Sequence, residues 1–157
     1  MANTQKDVIF SICVTPQPAD LNKAGFEALT FVSVSNVGNL GETGKSENIL
    51  TYNTLDTAVA QKAKGVADAG NPTVECARLF SDPGQVALNA AAATNLQYAF
   101  KIERNDSPDG ILTNTIIYNR GLVTGPTRPN GGNEDFDLEV FTLALNQLEV
   151  VVDPETP

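Results

Sequence analysis

A chain of 157 residues with ten Lys and Arg against nineteen Asp and Glu carries a formal net charge of −9, which opposes close approach to nucleic acid or to an anionic membrane surface. It is long enough to bury one core without disulfides or metals, and no second domain is expected. Histidine is absent, which removes Ser-His-Asp and Cys-His catalysis and the commonest ligand of catalytic zinc; carboxylate, Lys or Tyr chemistry stays open in principle, but no enzyme, cofactor or metal centre is expected.

The first strand-like run is DVIFSICV, residues 7–14, closed by TPQPAD, whose two prolines do not fit a central strand. FEALTFVSVSNV, residues 26–37, reads as a second strand, with Val32 and Val34 facing opposite to Leu29 and Phe31. The stretch that follows, NLGETGKSENILTYNTLDT, contains Gly-Lys-Ser at residues 44–46. A phosphate-binding loop needs a glycine five residues before Gly44 and a helix opening at Ser46. Asn39 occupies that first position, Gly38 and Gly41 are out of register, and the continuation is Asn- and Thr-rich. The nucleotide reading is therefore rejected in favour of a long loop over residues 38–57, with ENILTYNTL strand-like in cast.

TAVAQKAKGVADAG reads as a turn region, and PTVECARLF, residues 72–80, as a strand that places Val74, Cys76 and Phe80 on one face with Arg78. SDPGQVALNAAAATN predicts a helix over residues 82–95, because Asp82 can accept from first-turn N–H groups, Pro83 suits the first helical position and an Ala-rich body follows. Its expected buried stripe is Val86, Ala87, Ala90 and Ala91. LQYAFKIERN alternates Leu96, Tyr98, Phe100 and Ile102 against Gln97, Lys101 and Glu103, a half-buried strand. DSPDG is a turn signal, and ILTNTIIYNRGLV is its expected antiparallel partner. After the polar loop TGPTRPNGGNED, the run FDLEVFTLALNQLEVVV changes apolar parity at Phe141, which predicts either a bulge near residues 140–141 or a strand that passes from one packing environment to another.

Cys13 and Cys76 each fall in a strand-like run and read as buried free thiols, not as a disulfide framework. There is no basic-then-apolar leader and no run long enough to span a bilayer, so folding in a cytoplasm and no membrane partner are expected. Beyond Arg128 stand Glu134, Asp135, Asp137, Glu139, Glu149, Asp153 and Glu155 with no base among them. They read either as a solvated face with an acidic terminus or as a repulsive wall. A calcium reading of NGGNEDFD fails on spacing, and turn chemistry accounts for Asp106 and Asp109 more simply than a glycosidase carboxylate pair. The fold class is mainly β: an antiparallel β-sandwich or barrel-like domain with one flanking α-helix and a long glycine-containing loop.

The order of these features, above all GETG, ENI, TLD and KGVADAG in succession, then the Pro-initiated helix, the alternating strand and the hairpin, resembles the tail tube (major tail) proteins of long non-contractile-tailed bacteriophages. The resemblance runs from about Phe26 to Val152, with residues 1–25 as an additional N-terminal strand or arm. It implies a phage tail tube fold, hexameric rings stacked into a tube, and a location in the virion tail. It also implies that DNA passes through without specific binding, and that the partners are further copies of the chain together with terminator, tape measure and baseplate components. Residues 38–57 become the inter-ring loop, with Gly38, Gly41, Glu42, Gly44, Lys45, Glu47 and Tyr52 as its contact candidates, and Asp137 and Glu139 become candidates for the lumen wall. A ligand-binding β-sandwich, such as a virion decoration or fibre domain, is the competing reading.

Overall fold

The computed structural model describes residues 2–157. The N-terminal run forms β1 (Ile9–Cys13), in which Phe10, Ser11, Ile12 and Cys13 are all buried. Burial on both faces explains why the run is nearly continuous in apolar character, and it makes residues 9–13 an interior strand, not a peripheral arm. The expected second strand is divided: α1 (Lys23–Glu27), capped by the Asn22 side chain, precedes β2 (Phe31–Ser33), and β3 (Val37–Leu40) begins only after a break. Asn36 adopts a left-handed φ of 60° at that break.

β4 (Ser46–Tyr52) and β5 (Gln61–Asp68) form a separate two-stranded sheet. Residues 61–68, expected as a turn, are a strand, and the loop expected over 38–57 is the end of β3, a turn and the first half of this hairpin. β6 (Thr73–Ala77) ends before Phe80, which is exposed and does not share the buried face of Val74 and Cys76. α2 (Pro83–Ala92) has Asp82 as its N-cap, as expected, and β7 (Tyr98–Glu103) buries Tyr98, Phe100 and Ile102, but Leu96 precedes the strand and is exposed. β8 (Ile116–Thr127) starts five residues later than its sequence suggests and consumes part of the expected loop. Asp106 and Asp109 organise the connection by accepting from Thr115 N at 2.8 Å and from Ile111 and Leu112 N at 2.9 Å.

β9 (Leu138–Leu145) and β10 (Val150–Val152) complete the chain. β9 contains no parity change: Glu139, Phe141, Leu143 and Leu145 are buried together. The irregularity lies on the partner strand, where the register between Thr124 and Thr127 takes in one residue more than the facing stretch of β9, at Gly125–Pro126.

All pairings are antiparallel, in the order β2-β1-β7-β8-β9-β6-β3, with β10 also on β8. The two ends of that order are consecutive in sequence. Val34 N donates to Phe10 O at 2.8 Å and Ala77 N donates to Asn36 O at 3.0 Å, so one short segment ties β1 to β6 and draws the sheet round into a barrel-like shape. α2 fastens this closure. Asp82 Oδ2 accepts from Ser35 N, while Gln85 donates to Ser35 O and Ala77 O and accepts from Leu79 N, all within 3.1 Å. A Cβ on Gly84 would lie 2.2 Å from Ser33 O, so only glycine lets α2 approach this closely. The helix buries Gly84, Gln85, Leu88 and Ala91; of the expected stripe Ala91 is buried and Ala87 packs against the core, while Val86 and Ala90 are exposed.

One core gathers Phe10, Phe100, Phe141, Leu143 and Leu88 of α2. The opposite face packs Phe26 of α1 against Tyr118, with ring centroids 5.0 Å apart, alongside Cys13 and Ala99. Both cysteines are buried free thiols. Burial pushes the Cys76 thiol up to about 11.

Candidate assembly surfaces

β3 and β6 are themselves paired, with Leu40 opposite Val74 and Gly41 N donating to Thr73 O at 2.6 Å. The β4–β5 hairpin is thus an insertion between two neighbouring strands, and it stands out from the body as an arm. Seven to eight residues per strand give it a length of about 23–26 Å. Ile49, Leu50, Tyr52, Leu55, Val59 and Val66 are all more than half exposed on it, and Leu55, at its tip, is fully so. A lone two-stranded ribbon is marginal in water, and a concentration of exposed apolar side chains marks an interaction surface. Residues 45–68 hold three lysines and three acids, so the entire net charge of −9 resides on the rest of the chain.

The residues singled out from sequence separate into three roles. Gly44 adopts φ +131° and supplies the turn into the arm, Gly41 lies where a Cβ would sit 2.5 Å from Thr73 N, and Gly38 has no atom within 4 Å of such a Cβ. Lys45 and Glu47 pair with each other at 3.0 Å, and Glu47 also approaches Lys64 at 3.7 Å. Glu42 is exposed at the arm's base and Tyr52 is exposed near its tip. Ser46 opens a strand, so no helix N-terminus faces the Gly-Lys-Ser sequence.

Asp137 and Glu139 do not share a surface. Asp137 is exposed just ahead of β9, whereas Glu139 is 2% exposed and its Oε1 accepts from Arg78 Nε at 3.1 Å and Arg128 Nε at 3.4 Å. Asn89 Nδ2 reaches Oε2 of the same carboxylate at 3.4 Å. The strand face carrying Glu139 turns inward with Phe141, which removes this residue from any exposed wall of the folded chain. Sequence patterning named Glu139 but not its burial, because an acid on an apolar face breaks the alternation it belongs to.

A second buried charge was also illegible. Arg120 on β8 is 4% exposed; it donates to Gln147 Oε1 and Gln17 O at 3.2 Å and pairs with Gln97 and Asp20. Gln147 in turn binds both the N–H and the C=O of Leu21. This network holds residues 17–21 against the sheet. A groove of about 750 Å³ is lined by residues 37–43 in and after β3 and by Gln5, Asp7, Val8, Ile102, Arg104 and Ile117.

No protein-family model and no curated protein matches the sequence. Solved structures do match the fold. A chain of the sheath/tube terminator of an extracellular contractile injection system, PVC, is similar over 97% of this chain and 97% of its own, at 12% identity and a TM-score of 0.67. A chain of the PVC sheath-tube complex is similar over 93% of this chain and 88% of its own, at 12% identity and 0.63. A chain of the anti-feeding prophage baseplate is similar over 98% of both, at 9% identity and 0.63. The two PVC chains belong to a contractile injection system, not to the long non-contractile tails that the sequence resembles. Among the described residues, no helix is long and apolar enough to cross a membrane. The chain has a mainly antiparallel β fold of the tail-tube-like kind found in phage-tail-like machines.

Proposed function

We propose that this protein is a structural subunit of a phage-tail-like tube, self-assembling into hexameric rings that stack around a DNA passage, with the β4–β5 arm docking between copies. The observation that carries this reading is the arm: a hairpin of zero net charge with six exposed apolar side chains, inserted between two paired strands of a tail-tube-like body that otherwise holds the whole net charge of −9. Residues 38–57 supply its base and first strand, and β5 supplies the other half. Tyr52 is an apolar contact to a neighbour, while Lys45 and Glu47 brace the arm. Exposed Asp137 belongs to an acidic surface that would repel phosphate and let DNA slide without counterion-releasing contacts. Terminator, tape measure and baseplate proteins are the further partners of such a tube, and the virion tail is its location.

The resemblance in sequence favours a long non-contractile tail, and the fold neighbours favour a contractile one; self-assembly is common to both. A second reading, a terminator subunit that forms one ring and stops, is favoured by the likeness to the PVC terminator chain. Electron microscopy of the purified protein separates them. Stacked tubes support the proposal, single rings that never elongate support the terminator, and a persistent globular monomer absent from virions overturns both.

A further inference from the structure

Arg78 and Arg128 each present only Nε to buried Glu139, and among the described residues their Nη atoms make no hydrogen bond. Their side chains are 48% and 54% exposed. One carboxylate thus orients two guanidinium groups, fixes their planes and leaves the outer donors facing solvent with one positive charge in excess. They border a shallow groove of about 220 Å³ whose remaining wall includes Leu79, Phe80, Val86 and Asn89. Phe80 is 77% exposed and Val86 53%. Two free guanidinium ends beside an aromatic ring call for a carboxylate with an apolar neighbour, carried on an element that protrudes far enough to enter.

Exposed carboxylates with an apolar neighbour recur along the chain, and three of them bear on this groove. Glu155 in the tail is engaged by Lys23 at 3.1 Å. Asp137 O accepts from Arg78 N at 2.9 Å, so Asp137 and its neighbour Phe136 are held beside Arg78 on the same copy. Leu55 and Asp56 at the arm tip are exposed and adjacent, in the turn between β4 and β5, and among the described residues Asp56 forms no ion pair. We infer that the arm tip of a second copy seats in this groove, with Asp56 on the outer Nη groups of Arg78 and Arg128 and Leu55 against Phe80 and Val86. The inference rests on the proposed tube-forming role and specifies its contact. Because tip and groove are different surfaces, the contact is head-to-tail, the kind that generates closed rings or open helical stacks.

The full-length chain tests this by analytical ultracentrifugation across a concentration series, with Asp56→Arg, Arg128→Glu and their combination. Each single reversal should raise the midpoint concentration of association by about a hundredfold, and the double reversal should recover most of it, since reversing both charges restores the pair. Because Arg128→Glu also disturbs Glu139, a second experiment uses Asp56→Cys with Arg128→Cys under mild oxidation, in which an intermolecular disulfide is expected, while Asp56→Cys with Glu134→Cys should give none. Wild-type association that the reversals leave unchanged, or cross-linking equal in both cysteine pairs, overturns this contact and leaves the tube-forming role standing. A wild-type chain that never associates overturns that role and this contact with it.

Discussion

At Glu139 the two ways of breaking one ion-pair cluster have unequal consequences. Glu139→Gln leaves two half-exposed arginines that water can hydrate, so a loss of about 1 kcal/mol is expected. Arg78→Ala with Arg128→Ala strands a buried carboxylate and should cost about 3 kcal/mol. Adding Glu139→Gln to that pair should restore part of the loss, and urea midpoints at unchanged m-value measure all three. Asp82 gives a pH-dependent counterpart. Burial pushes its carboxyl up, but the N–H groups of Ser35 and Gln85, with further bonds from the Ser35 side chain and Gly84 N–H, outweigh burial and hold it below the ordinary 3.8. The folded state therefore favours the charged form: its contribution is complete above the ordinary value and lost as pH falls through the lower folded one. Asp82→Ala should cost about 1 kcal/mol at neutral pH, and the gap from wild type should close in acid. Glycine positions offer a steric test. Gly84→Ala and Gly121→Ala each force a Cβ to 2.2 Å from a backbone oxygen and should lose about 2 kcal/mol or more, whereas Gly38→Ala meets nothing and should melt like wild type.

The arm's insertion between paired strands makes it separable. Replacing residues 45–67 with a two-residue Asn-Gly turn keeps Gly41 N on Thr73 O and spares Ala69, which belongs to the core, so the body should retain its thermal transition while association is lost. Loss of the body's cooperative transition would mean the arm is part of the fold. This element was also the hardest to read in the sequence. β5 is exposed along most of its length, so no period-two burial pattern exists to be seen, and its Ala, Lys and Gly are poor strand formers. β7 and the start of α2 were legible because burial and capping leave local marks: alternation at Tyr98, Phe100 and Ile102, and Asp-Pro at residues 82–83. Gln85 and Arg120 left none. Their hydrogen bonds reach residues 50 and 103 positions away, and hydropathy treats both as surface residues. Among the surface candidates, the loop over residues 38–57 identified half of a projecting hairpin, and the inward turn of Glu139 depended on a strand parity that its own charge concealed.

Across the whole molecule, charge sets opposing terms on association. Bodies carrying a net charge of −9 repel one another at long range, whereas in the proposed contact the neutral arm is attracted locally through its exposed apolar side chains and Asp56. Salt acts on these terms unequally. Between about 0.01 M and 0.1 M the screening length falls from about 30 Å to about 10 Å, which removes body-to-body repulsion over most of the arm's own length. Contacts at the arm's apolar surface and at a partly desolvated tip are screened much less. Assembly followed by light scattering should therefore accelerate as salt rises through that range, in the opposite direction to the salt dependence of nucleic-acid binding. A monotonic slowing would show that surface attraction between unlike charges, not the arm's apolar face, drives association. The same charge predicts that duplex DNA at low salt is not retained by the protein, because retention needs counterion-releasing contacts with phosphate that a surface of this sign does not offer.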